Sequence, residues 1–262
     1  MFFVLNKQKL YSYGIAIATV AILFGLAIFL SSEKNAKMIQ TSNYINRQLP
    51  IYYVDTPDQK VSITINCAWS AEDVDLILQT LQKHQVKATF FMVGDWVDKY
   101  PEAVQKIAKA GCEIGNHSNT HPHVTNLSYE KNVEQIKRCS DKIEKITGKP
   151  TTLYRGPYGE YNDTVIKAAK SLNHQSIQWN IDTLDYKGLT GKEMMERINE
   201  KLTKGSIILM HNGTKYTAES LDMIITNIKE KGYTIVPVSE LIYSEEKSTI
   251  DANGMQKREA NE

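Results

Sequence analysis

The reactive side chains of this sequence come in five short clusters, each closing an apolar run. His117-Ser-Asn-Thr-His121-Pro-His123 places two imidazoles four residues apart. Neutral imidazoles at that spacing can face one ion from one turn of chain, and they suit zinc, cobalt or nickel. His123 is left as a supporting or surface residue. Arg155-Gly-Pro-Tyr-Gly159 is a tight loop in which Pro157 fixes φ and Gly159 permits a positive one. Such a loop can aim backbone N–H groups at a developing oxyanion, or it can be a plain turn. Asn180-Ile-Asp182-Thr-Leu-Asp185-Tyr186 sets two carboxylates past one apolar run, and Leu209-Met-His211 sets a histidine past another. A histidine oriented and charged by a carboxylate is a general acid suited to an amine leaving group. Asn66 and Cys67 close the first run.

Residues so far apart need a scaffold that returns the chain repeatedly to one place. Strands are expected at 61–65, 87–92, 112–115, 152–154, 176–180, 206–210 and 233–236. Helices are expected at 71–84, 101–110, 128–147, 162–172, 191–202, 218–231 and 238–243. Pro101 opens its helix, Ser128 caps the next, and Gly148 stops it. Repeated βα order implies a parallel α/β sheet with right-handed crossovers. A barrel and an open doubly wound sheet both fit. In either, the carboxyl ends of the strands carry the active site, which is where all five clusters fall.

The rest of the chain bounds the problem. A net charge of +1 gives no reason to expect nucleic acid as a partner. Residues 1–12 read as a cytoplasmic amino terminus. Residues 13–32 are apolar and long enough to cross a bilayer, as an anchor or a signal segment. Residues 33–57 read as a linker, 58–243 as the folded domain, and 244–262 as a disordered tail. The folded domain would then be extracytoplasmic. Three cysteines at irregular spacing do not describe a disulfide framework, and Cys112 and Cys139 read as buried thiols.

In order and spacing, His117-x-x-x-His121, Arg155-x-Pro-x-Gly159, Asp182-x-x-Asp185 and Leu209-x-His211 resemble the polysaccharide deacetylases, the NodB-homology group of carbohydrate esterase family four. Ala68-Trp69, the run 117–123 and Pro237-Val-Ser-Glu-Leu241 resemble its membrane-anchored sporulation branch in Gram-positive spore formers. The resemblance implies a distorted (β/α)7 barrel with an N-terminal transmembrane helix. It implies metal-dependent hydrolysis of the N-acetyl amide of cell-wall glycan on the wall or forespore side of the membrane. His117 and His121 would bind the metal, zinc before cobalt or nickel, and Arg155 would steady the base. Backbone at Tyr158 would hold the oxyanion. His211 would be the general acid, tuned by Asp182 or Asp185. Leu209, Trp69 and Tyr186 would wall the substrate pocket.

The first motif departs from the family pattern of Thr-Phe-Asp-Asp: this chain has Thr64-Ile65-Asn66-Cys67. A neutral amide stands at the base position, and a general base is worth about 10²–10⁴-fold in rate. Three readings follow. The protein is a weakened deacetylase with another base, such as Asp73 or a carboxylate of the 182–185 loop. Or it is a lapsed module that binds glycan or a partner. Or Cys67 adds a thiolate to the histidines, the alternative for Cys67 being a small buried thiol.

Overall fold

The computed structural model describes residues 48–259, with Phe24, Gly25 and Ile28. The segments 1–12 and 13–32 otherwise lie outside the described residues. Among the described residues no helix is long and apolar enough to cross a membrane.

In chain order the elements are β1 (Tyr53–Val54), β2 (Lys60–Cys67), α1 (Val74–Lys83), β3 (Thr89–Met92), α2 (Gly94–Lys99), α3 (Pro101–Lys109), β4 (Glu113–Asn116), α4 (Tyr129–Thr147), β5 (Leu153–Tyr154), α5 (Asp163–Ser171), β6 (Gln175–Ser176), β7 (Ile181–Asp182), α6 (Gly191–Lys201), β8 (Ile207–His211), α7 (Thr217–Glu230), β9 (Thr234–Ile235), α8 (Val238–Leu241), β10 (Ser248–Ile250) and β11 (Met255–Arg258). The main sheet runs β6-β5-β4-β3-β2-β8-β7, with β9 against the first residues of β2. Every pairing in it is parallel. It is a curled, barrel-like α/β sheet.

Alternation along β2 decides what faces the site. Val61, Ile63, Ile65 and Cys67 point to the helix layer, where they join Val74, Ile77 and Leu221 in one core. Ser62, Thr64 and Asn66 point inward; Ser62 Oγ donates to Val236 O and Thr64 Oγ1 to Ile208 O. Successive strand residues face opposite sides of a sheet, so Asn66 and Cys67 cannot share one ion. A second core lies inside the curl, built from Ile51, Val54, Phe91, Leu153, Ile177 and Ile207.

Three segments fold differently from what the sequence implies. Residues 50–54, read as linker, belong to the fold: Ile51 bridges Ile177, Tyr53 bridges Ser206, and Ile51 and Val54 fill the inner core. Residues 244–259, read as disordered tail, form β10 and β11, and β11 pairs with β1. Gln256 ties this clasp together, exchanging hydrogen bonds with Tyr243 N and O. Of the strand expected at 176–180 only Ser176 is in a strand, β6; the chain then leaves β5 and joins β8 through β7 at Ile181–Asp182.

His174 carries a pH prediction. It is 5% exposed, its Nδ1–H donates to Leu172 O at 2.8 Å, and its Nε2 accepts from Thr151 Oγ1 at 2.8 Å. Burial lowers its pKa from the usual 6.5. Below that pH the unfolded chain takes up a proton that the folded one resists, so stability falls as pH drops through about 6.5. His117 and His121 act in the same direction. Replacing His174 with Gln is expected to flatten the loss of unfolding free energy between pH 7 and 5 by up to about 1.4 kcal/mol per pH unit. Urea melts across that range measure it; an unchanged slope would contradict the assignment.

Candidate active site

Asn66, at the carboxyl end of β2, is 4% exposed and sits between two partners. Its Oδ1 accepts from Arg155 Nη1 at 3.0 Å, and its Nδ2 stands 3.3 Å from His117 Nε2. Arg155, just past β5, is fully buried. It donates to Thr64 Oγ1 (2.8 Å), Gln178 O (3.0 Å) and Ile177 O (3.4 Å), and lies 4.1 Å over the Phe91 ring. None of these acceptors is a carboxylate. Burial lowers the guanidinium pKa to about 9, with the Asp182 charge opposing, so it stays a cation at neutral pH.

His117 and His121 follow β4, with ring centroids 5.0 Å apart. His117 Nδ1 is 2.7 Å from Arg155 O. A carbonyl only accepts, so Nδ1 bears the hydrogen and Nε2 a lone pair. Burial holds both imidazoles below their ordinary pKa. The loop between them is shaped by Gln135 on α4, whose Oε1 accepts from Ser118 Oγ (2.8 Å), Asn119 N (3.0 Å) and Thr120 N (3.0 Å).

Across the cleft, His211 ends β8. Its Nδ1–H donates to Asp185 Oδ1 at 2.9 Å. Asp185 is 2% exposed and also accepts from His211 N (2.6 Å), Thr217 Oγ1 (2.7 Å) and Tyr186 N (2.9 Å). The carboxylate that orients His211 is therefore Asp185. Asp182 instead lines the cleft and accepts from Leu184 N. The Trp69 and Tyr186 rings lie 5.2 and 5.3 Å from His211.

The 155–160 loop supplies the remaining wall. Tyr158 (φ 59) and Gly159 (φ 69) are consecutive left-handed residues. The N–H groups of Gly159 and Glu160 donate back to Gly156 and Pro157, while that of Tyr158 has no acceptor among the described residues. A glycine is required at 156, because a β-carbon there would overlap the Glu160 carbonyl oxygen. Gly156→Ala is expected to cost about 1–3 kcal/mol, since a backbone atom must move. A denaturant midpoint within error of wild type would refute this.

Asn66, His117, His121, Tyr158, Asp182, Tyr186, Leu209 and His211 thus line one cleft of ≈ 250 Å³, with Trp69 at its rim. Two expected participants are elsewhere. Cys67 is fully buried in the helix-side core, where burial raises its pKa, so it is a small buried thiol and no metal ligand. Asp73 accepts from Gly213 N at 2.7 Å and is not part of the cleft wall. The donors present do not fit a resident zinc, cobalt or nickel ion. Among the described residues no third His, Cys, Asp or Glu joins the two imidazoles. Gln135 and Thr217 carry no local signal, since each acts from the far side of a long loop closure. Glu160, which accepts from His123 Nδ1 (2.7 Å) and Thr125 Oγ1 (3.1 Å), also escaped sequence reasoning.

The polysaccharide deacetylase family model matches residues 53–177. PdaC of Bacillus subtilis, a peptidoglycan-N-acetylmuramic acid deacetylase, is 33% identical over 232 residues, 85% of this chain and 49% of PdaC. A peptidoglycan-N-acetylglucosamine deacetylase of Bacillus cereus is 31% identical over 186 residues, 70% of this chain and 68% of that protein. The crystal structure of BA3943 from Bacillus anthracis, described as a CE4 family pseudoenzyme, has a TM-score of 0.71 and 38% identity, covering 73% of this chain and 68% of that one. A mutant of BA3943 is described as having restored enzymatic activity. The chain spans about half to three fifths of the length of the first curated relatives it matches. A cleft of this composition at the strand ends of a curled parallel sheet, with relatives of this identity and coverage, places the chain in the polysaccharide deacetylase family, carbohydrate esterase family four.

Proposed function

We propose that the cleft binds N-acetylated cell-wall glycan, and that hydrolysis of the acetamide is weak or lapsed because Asn66 occupies the base position. One observation carries this reading: the Asn66 amide is held between Arg155 and His117, where a carboxylate would have to stand to take a proton. Deacetylases of this family are generally metal-dependent, and this chain departs from them in its donors as well as its base. The rest of the cleft keeps its shape. Trp69, Tyr158 and Tyr186 offer exposed rings on which sugar faces stack. Leu209 gives an apolar floor for the acetyl methyl, and the Tyr158 N–H is free for its oxygen. Asp185 fixes the proton on His211 Nδ1, so Nε2 is the nitrogen left to face a leaving amine.

Calorimetric titration with chito-oligosaccharides tests the reading. N-acetylated oligomers are expected to bind, fully deacetylated ones about tenfold more weakly or worse, and Trp69→Ala to lose about tenfold in affinity. Equal affinity for both oligomers would sink it.

Residues 13–32 are proposed to hold this domain on the outer face of the membrane. Their uncharged run and the lysines before it support that placement. Release of the protein into the soluble fraction with 13–32 intact would contradict it. Action on wall glycan during sporulation is supported by the resemblance of residues 68–69, 117–123 and 237–241.

A further inference from the structure

We propose that this cleft takes N-acetylated glycan without a metal ion, because Arg155 locks the Asn66 amide as a cap over the histidine that would anchor one. The inference rests on the glycan-binding reading above and adds to it the state of the site.

The lock has two halves, both from Arg155. Its guanidinium has only donors, and Nη1 lies 3.0 Å from Asn66 Oδ1. Flipping the amide would set N–H against N–H inside a fully buried site, so the Asn66 NH₂ group is committed to the other side. There, 3.3 Å away, is His117 Nε2. The Arg155 carbonyl meanwhile takes the Nδ1 hydrogen of the same ring at 2.7 Å, which leaves Nε2 as the lone pair. That pattern, one ring nitrogen donating to a carbonyl and the other bare, is how a metal-binding histidine is normally prepared. Here the prepared lone pair receives an amide N–H.

With His117 capped, His121 is the one cleft imidazole of the pair still open, and Cys67 faces the far side of the sheet. A single imidazole does not hold zinc at micromolar free metal. The same residue therefore removes the base and closes the metal site. What remains is a cleft whose ligand contacts, the rings, the apolar floor and the Tyr158 N–H, need no ion.

Two titrations decide this. In the first, zinc is titrated into chelator-treated wild-type protein against a chromophoric competitor. Occupancy is expected to stay near or below about 0.1 per chain at about 10 µM free zinc. Asn66→Ala, which removes the cap, is expected to bind zinc about tenfold more tightly than wild type. In the second, N-acetylated chito-oligomer is titrated into wild type with and without EDTA, and the affinities are expected to agree within about twofold. One zinc per wild-type chain at that free concentration, lost in His117→Ala, overturns the proposal; so does glycan binding abolished by EDTA. The wild-type zinc arm needs no variant and stands even if Asn66→Ala does not fold. Failure of oligomer to bind in any arm overturns the underlying glycan reading and with it metal-free recognition, while the zinc arm still separates a capped site from an open one.

Discussion

Asn66→Asp is expected to raise acetate release from N-acetylated chito-oligomers at least about 10²-fold over wild type when zinc is supplied. The substitution changes one atom and reverses its role. The nitrogen that donates toward His117 Nε2 from 3.3 Å becomes an oxygen that can take a proton. Arg155 needs no rearrangement, because the oxygen it already contacts at 3.0 Å is retained. The spacing suits a ligand too: two donors about 2.0–2.1 Å from a tetrahedral ion stand about 3.3 Å apart. Aspartate at 66 would thus give the cleft both a base and a third donor. A hundredfold gain corresponds to about 2.7 kcal/mol of barrier, well within what a positioned base supplies. A coupled acetate assay reads the gain, and His117→Ala in the Asn66→Asp background should remove it. A folded Asn66→Asp protein with wild-type rates would mean that the missing carboxylate is not what limits this cleft.

Removal of the Arg155 guanidinium is the largest stability change anticipated. Arg155→Met should destabilise the fold by about 3–5 kcal/mol, because several buried neutral acceptors lose their donor at about 1–3 kcal/mol each. It would orphan Asn66 Oδ1 and the carbonyls of Ile177 and Gln178, take one of two partners from Thr64 Oγ1, and lose the stack on Phe91. Arg155→Lys should not rescue it, since one ammonium cannot reach acceptors arranged around a planar fork. Urea denaturation with an unchanged m-value measures the effect. A loss under about 1 kcal/mol would show that the neutral acceptors find other donors. Adding Asn66→Asp to Arg155→Met closes a double-mutant cycle, whose coupling reports what an anionic partner is worth here.

Much of the site is legible in the sequence because it is built at strand ends. Apolar runs mark the strands, and the polar residue after each run lands on the same rim; this brings Asn66, His117, Arg155, Asp185 and His211 together from sequence alone. Helix ends are equally local: Ser128 accepts from Lys131 N as its position suggests, and Gly148 takes a left-handed conformation. What stayed hidden is non-local or too short to have a period. β1 has two residues, and its partner β11 is near the other end of the chain. Gln135 sits on a helix flank, and only the folded loop shows why. Cys67 is different, because alternation from Asn66 in an extended strand already turns it away from the histidines.

The pairing of Tyr53 with Met255 has a consequence for synthesis. The first strand leaves the ribosome about 200 residues ahead of the strand that clasps it, on the order of 10–40 s at ordinary elongation rates. Ile51 and Val54 meanwhile wait for Ile177 and Ile207 to complete the inner core they fill. That core cannot be completed before residue 207 is made. The β1–β11 pair cannot form until residues 255–258 have emerged.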